Sequence, residues 1–269
     1  MKKILLISLL IASLLVTVKA EQIEWLTDFK EAKARAQETG KPLLLDFTAK
    51  WCEPCQVMDR TFWLDPAVIK KSKDYVCVKL NFDNNASLKR KYRIRSIPFI
   101  LMSDSWGMEL ASHRGYGNGS ARVIYQKMEA IPMDFSEIRE AQGIIETDKK
   151  NLNAFTRISD FYHSRKFFYQ SNEFSEKALK LTEPSEMREK LMLKIAINYL
   201  RASKPDKAKK FLSKFQKEYP ESEKMDVALY GQVIMYKQKN KLKKARKARE
   251  VLKAKFPNSS YLRKVNDAL

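Results

Sequence analysis

Two cysteines, Cys52 and Cys55, follow an apolar run at residues 43–47 after a short polar break. The run predicts a buried strand, and residues 56–62 predict a helix. A Cys-x-x-Cys pair at a helix N-terminus suits thiol–disulfide exchange, because free amide groups and the helix dipole stabilise a thiolate there. We expect Cys52, at the exposed end, to attack disulfides, and Cys55, one turn further on, to resolve the mixed disulfide. Pro54 fits the first helical turn, where the N–H that it lacks would have no partner.

Two other uses of this cysteine pair stay open. A zinc site needs two more ligands, and the chain offers Cys77, His113 and His163, none of them in paired spacing. A purely structural disulfide would close a loop too short to constrain the unfolded chain much. The strand pattern around Cys77 predicts a buried apolar residue rather than a third redox group. The favoured interpretation is a redox-active Cys52–Cys55 disulfide that needs no bound cofactor or metal.

The N-terminal 20 residues have the pattern of an export signal. Lys2 and Lys3 precede an apolar stretch of 15 residues that ends at Val18, and Ala20 is a small residue at the expected cut. We therefore predict a signal peptide at 1–20 with cleavage after Ala20. The stretch is shorter than the about 20 residues of a membrane span, although an uncleaved anchor stays open. Export would place the cysteines where disulfides persist, which is the periplasm if the host is a Gram-negative bacterium.

Charge and composition divide the remaining chain in two. The formal net charge is +20; residues 21–133 carry 18 Lys/Arg against 14 Asp/Glu, whereas residues 134–269 carry 31 against 18. We place a domain boundary near residues 131–133. Alternating strand and helix patterns predict an α/β domain at 21–133, with a sheet covered on both faces, and helical spacing continues through 134–269. The predicted strands are 43–47, 75–82, 97–102 and 109–116, and the predicted helices outside the cysteine motif are 27–38, 65–69, 87–92 and 121–130.

Several motifs in residues 41–117 occur together in a family pattern. They are Lys41-Pro42 before the strand, Trp51-Cys52-x-x-Cys55 after it, Thr61-Phe62 followed by Asp65-Pro66-x-Val68, and the segment 91–98 that ends in Ile97-Pro98. In this combination the stretch resembles the thioredoxin family. It is still more similar to the thioredoxin-like C-terminal domain of the bacterial membrane protein that carries reducing equivalents into the periplasm. Glu53 and Ser96 depart from the pattern, since thioredoxin itself has glycine at both positions.

The resemblance implies roles for residues beyond the cysteines. Pro98 would follow a cis peptide bond and lie against Cys52, and the backbone beside Ile97 would hydrogen-bond a substrate in the manner of a strand. Asp46 would be the buried acid below Cys55. A carboxyl group in an apolar strand should have a raised pKa, which suits accepting a proton from Cys55. The alternative for Asp46 is a strand-end residue bonded to backbone.

Two further residues next to the cysteines have expected roles. Trp51 is expected to cover the site and to contact substrate, although a core position is the alternative. Glu53 places a negative charge near Cys52, which should disfavour the thiolate and moderate the effect of the helix.

The second half of the chain repeats. Tyr162, Tyr199 and Tyr236 recur every 37 residues, and Tyr219-Pro220 and Phe256-Pro257 share that spacing. Each unit has the pattern helix, break, helix, proline, which resembles tetratricopeptide repeats. We expect about three helix pairs, with 259–269 as a cap. Such a stack has a concave face suited to peptides or partner proteins.

These features predict an exported thiol–disulfide oxidoreductase with client proteins that contain thiols or disulfides and a membrane or soluble thiol electron donor. The basic run 237–255 is most simply a solvated helix face; an acidic protein or an anionic lipid surface is the alternative partner. Nucleic acid is not expected for an exported chain. A second hypothesis is an envelope binding or assembly protein whose α/β domain is a peptide platform with little redox turnover.

Overall fold

The α/β part of the chain comes first in the structure, a computed structural model that describes residues 21–266. The predicted signal peptide at 1–20 therefore lies outside the described residues. A short 3-10 turn, Phe62–Leu64, follows the second helix. The strands and helices are β1 (Trp25–Leu26), α1 (Phe29–Thr39), β2 (Leu43–Thr48), α2 (Glu53–Arg60), α3 (Pro66–Ser72), β3 (Val76–Asn81), α4 (Ala86–Tyr92), β4 (Phe99–Ser103), β5 (Glu109–Arg114) and α5 (Ser120–Ala130).

The five strands form one mixed sheet in the order β1-β3-β2-β4-β5. β1 and β2 both pair in parallel with β3, whereas β4 pairs antiparallel with β2 and with β5. Alternate residues of a strand point to opposite faces, so Leu43 and Leu45 pack in one apolar cluster and Leu44 packs in another. The predicted α/β fold with both faces covered is confirmed. β1 was not predicted, because two residues are too few to show a period.

Helix boundaries in the α/β part follow from capping residues. The carboxylate of Asp28 accepts the N–H of Glu31 at 2.7 Å and begins α1. Asp65 caps α3 in the same way through the N–H of Ala67 at 2.8 Å. Gly40 ends α1 with φ of 73°, a left-handed conformation that favours glycine. Its carbonyl accepts the N–H of Phe135 at 2.7 Å, which ties the segment after α5 back to the sheet domain.

Paired helices make up the rest of the described chain. A 3-10 turn at Ser136–Ile138 leads into them. The expected three pairs are present as α7/α8, α9/α10 and α11/α12, and α13 lies where a cap was expected. The helices are α6 (Arg139–Thr147), α7 (Leu152–Ser164), α8 (Phe168–Leu181), α9 (Glu186–Arg201), α10 (Pro205–Glu218), α11 (Met225–Gln238), α12 (Leu242–Lys255) and α13 (Tyr261–Asn266).

The repeated tyrosines mark the same turn in each pair. Lys166, Ser203 and Asn240 follow the first helix of each pair with φ of 65°, 55° and 53°. The N–H of the next residue donates to the carbonyl of Tyr162, Tyr199 or Tyr236 at 2.8–2.9 Å. This bond satisfies a carbonyl that the helix end leaves free. The 37-residue period therefore corresponds to the same turn geometry, repeated three times in this chain. The residue in the left-handed position differs each time.

A buried polar contact joins the helices to the sheet domain. The hydroxyl of the fully buried Tyr162 donates to Asp104, in the loop after β4. The same carboxylate accepts the N–H groups of Trp106 at 2.9 Å and Met108 at 2.7 Å. Burial raises the pKa of Asp104, and these hydrogen bonds oppose the rise. The Asp104 carboxylate is thus hydrogen-bonded both within its own loop and to the helical part of the chain.

This junction lies at the end of the sheet away from the cysteines. Ser103, the last residue of β4, pairs with Leu43, the first residue of β2. The other end of β2 leads to Cys52. Since a strand rises about 3.3 Å per residue, the two ends of β2 are roughly 17 Å apart.

Replacing Tyr162 by Phe should destabilise the protein, because Asp104 loses its one side-chain donor while it stays buried. We expect the free energy of unfolding in urea to fall by about 1–3 kcal/mol. Tyr236→Phe is the matched control, since it changes the equivalent position of the third pair, where the tyrosine is only partly buried. Equal losses for the two variants would contradict a special role for the contact with Asp104.

Candidate active site

The cysteine pair lies at the N-terminus of α2, as predicted. Cys52 is the N-cap residue, and its Sγ accepts the N–H of Cys55 at 3.3 Å. The two cysteines form a disulfide, with their Cα atoms 5.3 Å apart. Pro54 occupies the first helical turn, and both Glu53 and Pro54 are exposed. A thiolate at Cys52 would therefore face the free amides and the positive end of the helix dipole.

Cys52 is less exposed than the sequence suggested. Its exposed fraction is 4%, close to the 3% of Cys55. The prediction of an exposed first cysteine is wrong for the disulfide form, because Sγ turns inward to cap α2. Ala49 shares a small apolar cluster with the pair, and Phe82 and Ile97 pack against that cluster. An attacking group must therefore approach Sγ past these neighbours.

Trp51 stands beside the pair with most of its ring open to solvent. Its side chain is 64% exposed, so the alternative of a core position is wrong. The indole N–H donates to Asp83 at 2.9 Å, and the ring meets Phe82 edge to face at 6.3 Å. These two contacts restrain the Trp51 ring along one edge. Its open face offers a flat apolar surface next to the disulfide.

The Ile97–Pro98 peptide bond is cis, as the resemblance implied. Pro98 is buried, and its carbonyl accepts the N–H of Gly115 at 2.8 Å. Ile97 packs against the cluster that contains Cys52 and Cys55. The segment before β4 therefore lies next to the disulfide, whereas its use in substrate binding stays a prediction.

Asp46 is buried in β2, the strand that precedes the cysteine motif, with 2% of its surface exposed. Its side chain lies on the same face of β2 as that of Leu44. Its Oδ2 accepts the indole N–H of Trp63 at 3.1 Å and lies 3.7 Å from Nζ of Lys79. Burial raises the pKa of Asp46 to about 7, while Lys79 and Trp63 act in the opposite direction. The expected raised pKa is confirmed; the carboxylate binds side chains, not backbone.

Three residues that were not predicted from the sequence complete this network: Asp59, Trp63 and Lys79. Lys79 lies opposite Asp46 in the parallel register of β2 and β3. Its Nζ is 2.5 Å from the carboxylate of Asp59, which is 40% exposed and lies one turn after Cys55. A cleft of about 500 Å³ opens beside Asp59 and Lys79. Charged groups thus lead from Asp46 to solvent. Lys79 was the one sign of this network in the sequence, because it is a charged residue within an apolar strand pattern.

A cysteine pair at a helix N-terminus can perform thiol–disulfide exchange. The role of Asp46 as proton acceptor stays a prediction. Cys77 takes no part, because it is buried in β3 and burial raises the pKa of its thiol to about 12. Within residues 21–266, no three His, Cys, Asp or Glu side chains are grouped as a metal site would require. No helix in that same range is both long and apolar enough to span a bilayer.

Asp46→Asn should stabilise the oxidised protein at alkaline pH. The pKa of Asp46 is about 7 in the folded state and about 3.9 in an unfolded chain. The folded state therefore holds the proton more tightly, and stability falls as pH rises from about 4 to about 7. The amide keeps an acceptor for Trp63 and cannot ionise. We expect the variant to match wild type near pH 4 and to exceed its free energy of unfolding by roughly 2–4 kcal/mol at pH 8.

Urea denaturation across this pH range measures the effect. Asp83→Asn, which changes an exposed carboxylate next to Trp51, is the control and should show no such gain. A gain for Asp46→Asn that does not depend on pH would contradict the buried-charge explanation.

Comparison with known proteins matches residues 24–105 to the thioredoxin-like family model and residues 190–222 to that of the tetratricopeptide repeat. The chain is similar to the thiol:disulfide interchange protein DsbD of Campylobacter jejuni strain RM1221, with 28% identity over 110 residues, which cover 39% of this chain and 19% of that protein. DsbD of Photorhabdus laumondii is 30% identical over 100 residues, 36% of this chain and 17% of that protein. This chain therefore spans less than a fifth of the length of these relatives.

Among solved structures, a DsbH oxidoreductase is 21% identical with a TM-score of 0.37, and the match covers 41% of this chain and 85% of that one. The family matches coincide with the two structural parts described above. Residues 24–105 are a thioredoxin-like domain, and the helices that follow it include a tetratricopeptide repeat.

Proposed function

We propose that this chain is an exported thiol–disulfide oxidoreductase that reduces or exchanges disulfides of envelope proteins. The observation that carries the proposal is the Cys52–Cys55 disulfide at the N-terminus of α2, with the buried carboxyl of Asp46 in the strand that leads to it. The reduced pair is the electron source. The Cys52 thiolate attacks a client disulfide, forms a mixed disulfide and releases one client thiolate. Cys55 then gives its proton to Asp46 and attacks Sγ of Cys52, which releases the second client thiolate and restores the disulfide.

Export and client binding belong to the same proposal. Residues 1–20 are a signal peptide cut after Ala20, and the protein acts in the periplasm if the host is Gram-negative. The two domains are 21–133 and 134–269, and a membrane or soluble thiol donor reduces the disulfide. The second domain holds a client or partner protein, in keeping with its tetratricopeptide match. The site needs no cofactor or metal for this chemistry.

The charge of the second domain supports an acidic protein as its partner. Helix α12 contains one acidic residue, Glu250, and its basic side chains are mostly exposed. Opposite charge would speed encounter and would be screened by salt. The exposed basic residues are Lys243, Lys244, Arg246, Lys247, Lys253 and Lys255.

Trapping of the mixed disulfide tests the reductase step. Cys55→Ala leaves the attacking thiolate and removes the resolving one, so the reduced variant should form covalent complexes with disulfide-containing envelope proteins. These complexes should disappear on treatment with dithiothreitol and be absent from Cys52→Ala. Cys77→Ala changes a buried cysteine outside the site and should behave like wild type. If Cys55→Ala and Cys52→Ala captured the same proteins without a covalent bond, the reductase proposal would fail.

The exposed ring of Trp51 favours a second candidate, a peptide platform with little redox turnover. Val57 at 38% and Leu64 at 55% are further exposed apolar side chains after the cysteine motif. Such surface suits peptide binding without chemistry. Under this alternative, Cys52→Ala keeps its bound clients and its phenotype, whereas the reductase loses activity.

The reduction potential of the Cys52–Cys55 pair fixes the direction of electron flow. The proposed reductase role predicts that equilibration of the mature protein with glutathione buffers gives a value near that of thioredoxin, about −270 mV. A value near −120 mV, as in strong oxidants, would instead identify a disulfide donor. The absence of a reversible couple would leave the platform hypothesis in place.

A further inference from the structure

The two oxygens of the Asp46 carboxylate have different surroundings. Oδ2 accepts the indole N–H of Trp63 at 3.1 Å and faces Lys79 at 3.7 Å. Oδ1 is buried and has no hydrogen-bond partner within residues 21–266. An added proton would interfere with the donors at Oδ2 and meets no such competitor at Oδ1.

Trp63 is fixed in place by packing. It is 4% exposed and lies in the 3-10 turn between α2 and α3. Its ring meets Trp25 edge to face at 5.0 Å and Phe62 at 4.7 Å. An indole held on two sides cannot turn its N–H away from Asp46 without disturbing both neighbours. The hydrogen bond therefore has a defined direction.

We infer that Trp63 is a positioning residue for the proton acceptor: its N–H, together with Lys79, holds Oδ2 of Asp46 and leaves Oδ1 as the oxygen that takes the proton of Cys55. This inference rests on the proposed function. In the resolving step the S–H bond of Cys55 breaks and the proton forms a bond to Oδ1. The electron pair left on sulfur attacks Sγ of Cys52, and the bond from that sulfur to the client breaks and releases the client thiolate. Trp63 itself touches neither cysteine in this scheme.

Three groups from three elements set the charge balance at Asp46. Lys79 of β3 and the N–H of Trp63 favour the carboxylate, whereas the negative charge of Asp59 in α2 disfavours it. Loss of the indole donor would weaken the carboxylate form and raise the pKa of Asp46 further. Less carboxylate would then be present at neutral pH, and the resolving step would need more alkaline conditions.

Indole NMR of the oxidised wild-type protein tests the contact without any substitution. As Asp46 ionises, the N–H resonance of Trp63 should move, with the same midpoint as the carboxyl carbon of Asp46. The resonance of Trp106, at the far end of the sheet, should not follow that midpoint. A Trp63 resonance that stays flat through the ionisation of Asp46 would overturn the inference.

Trp63→Phe tests the consequence. The variant should raise the midpoint of Asp46 by about one to two units, the equivalent of one hydrogen bond to a charged group. Phe62→Leu shrinks one packing neighbour of Trp63 and leaves the N–H donor, so the midpoint of Asp46 in this variant should match wild type. An unchanged midpoint in Trp63→Phe, or equal shifts in the two variants, would contradict the inference.

A pH–rate profile of disulfide exchange separates positioning from general loosening. Trp63→Phe should move the profile to higher pH by the same amount as the Asp46 midpoint. In an Asp46→Asn background, the same substitution should leave the profile unmoved. A shift that persists without Asp46 would assign Trp63 a purely structural role. The NMR titrations do not need turnover, so failure of the oxidoreductase proposal and failure of this inference are distinguishable.

Discussion

The burial of one carboxyl group in the central strand constrains the whole thioredoxin-like domain. Moving a carboxylate out of water is unfavourable unless charge or hydrogen bonds offset the loss. Asp46 has both, from Lys79 on the adjacent strand and from Trp63 in the turn after α2. These partners come from separate elements, so the parallel register of β2 with β3 and the packing of α2 over the sheet must both be correct. The acid that suits the chemistry therefore also depends on the fold around it.

The parts of this site that local sequence determines were predictable. A buried strand, a Cys-x-x-Cys pair and a helix with Pro54 in its first turn are adjacent in sequence, and short-range rules describe them. Asp46 was identified because the resemblance placed it. The roles of Lys79 and Trp63 were not predicted. Lys79 reaches Asp46 through the register of β3 with β2, and Trp63 reaches it from the 3-10 turn that packs on the sheet. The burial of Cys52 escaped for a similar reason, because it depends on Phe82 and Ile97 from distant segments.

The helical half shows the same division. The tyrosine period predicted three helix pairs, because equivalent positions in a stacked repeat make equivalent contacts. The turn that ends the first helix of each pair was not predictable from composition. Lys166 and Ser203 adopt a left-handed conformation that usually favours glycine. The packing of the helices determines the turn and outweighs the preference of Lys166 and Ser203 for a negative φ. The bond from Tyr162 to Asp104 escaped as well, since it joins residues 58 positions apart.

The helices and the disulfide lie at opposite ends of the sheet. The junction with the helices uses the loop after β4, and the disulfide lies beyond the opposite end of β2. A thiol–disulfide oxidoreductase must admit both a client and an electron donor to the same cysteine in turn. A binding domain placed over the disulfide would obstruct one of them. The helical stack is anchored at the far end through the buried contact of Tyr162 with Asp104. The route to Cys52 past Phe82 and Ile97 therefore lies at the other end of the sheet.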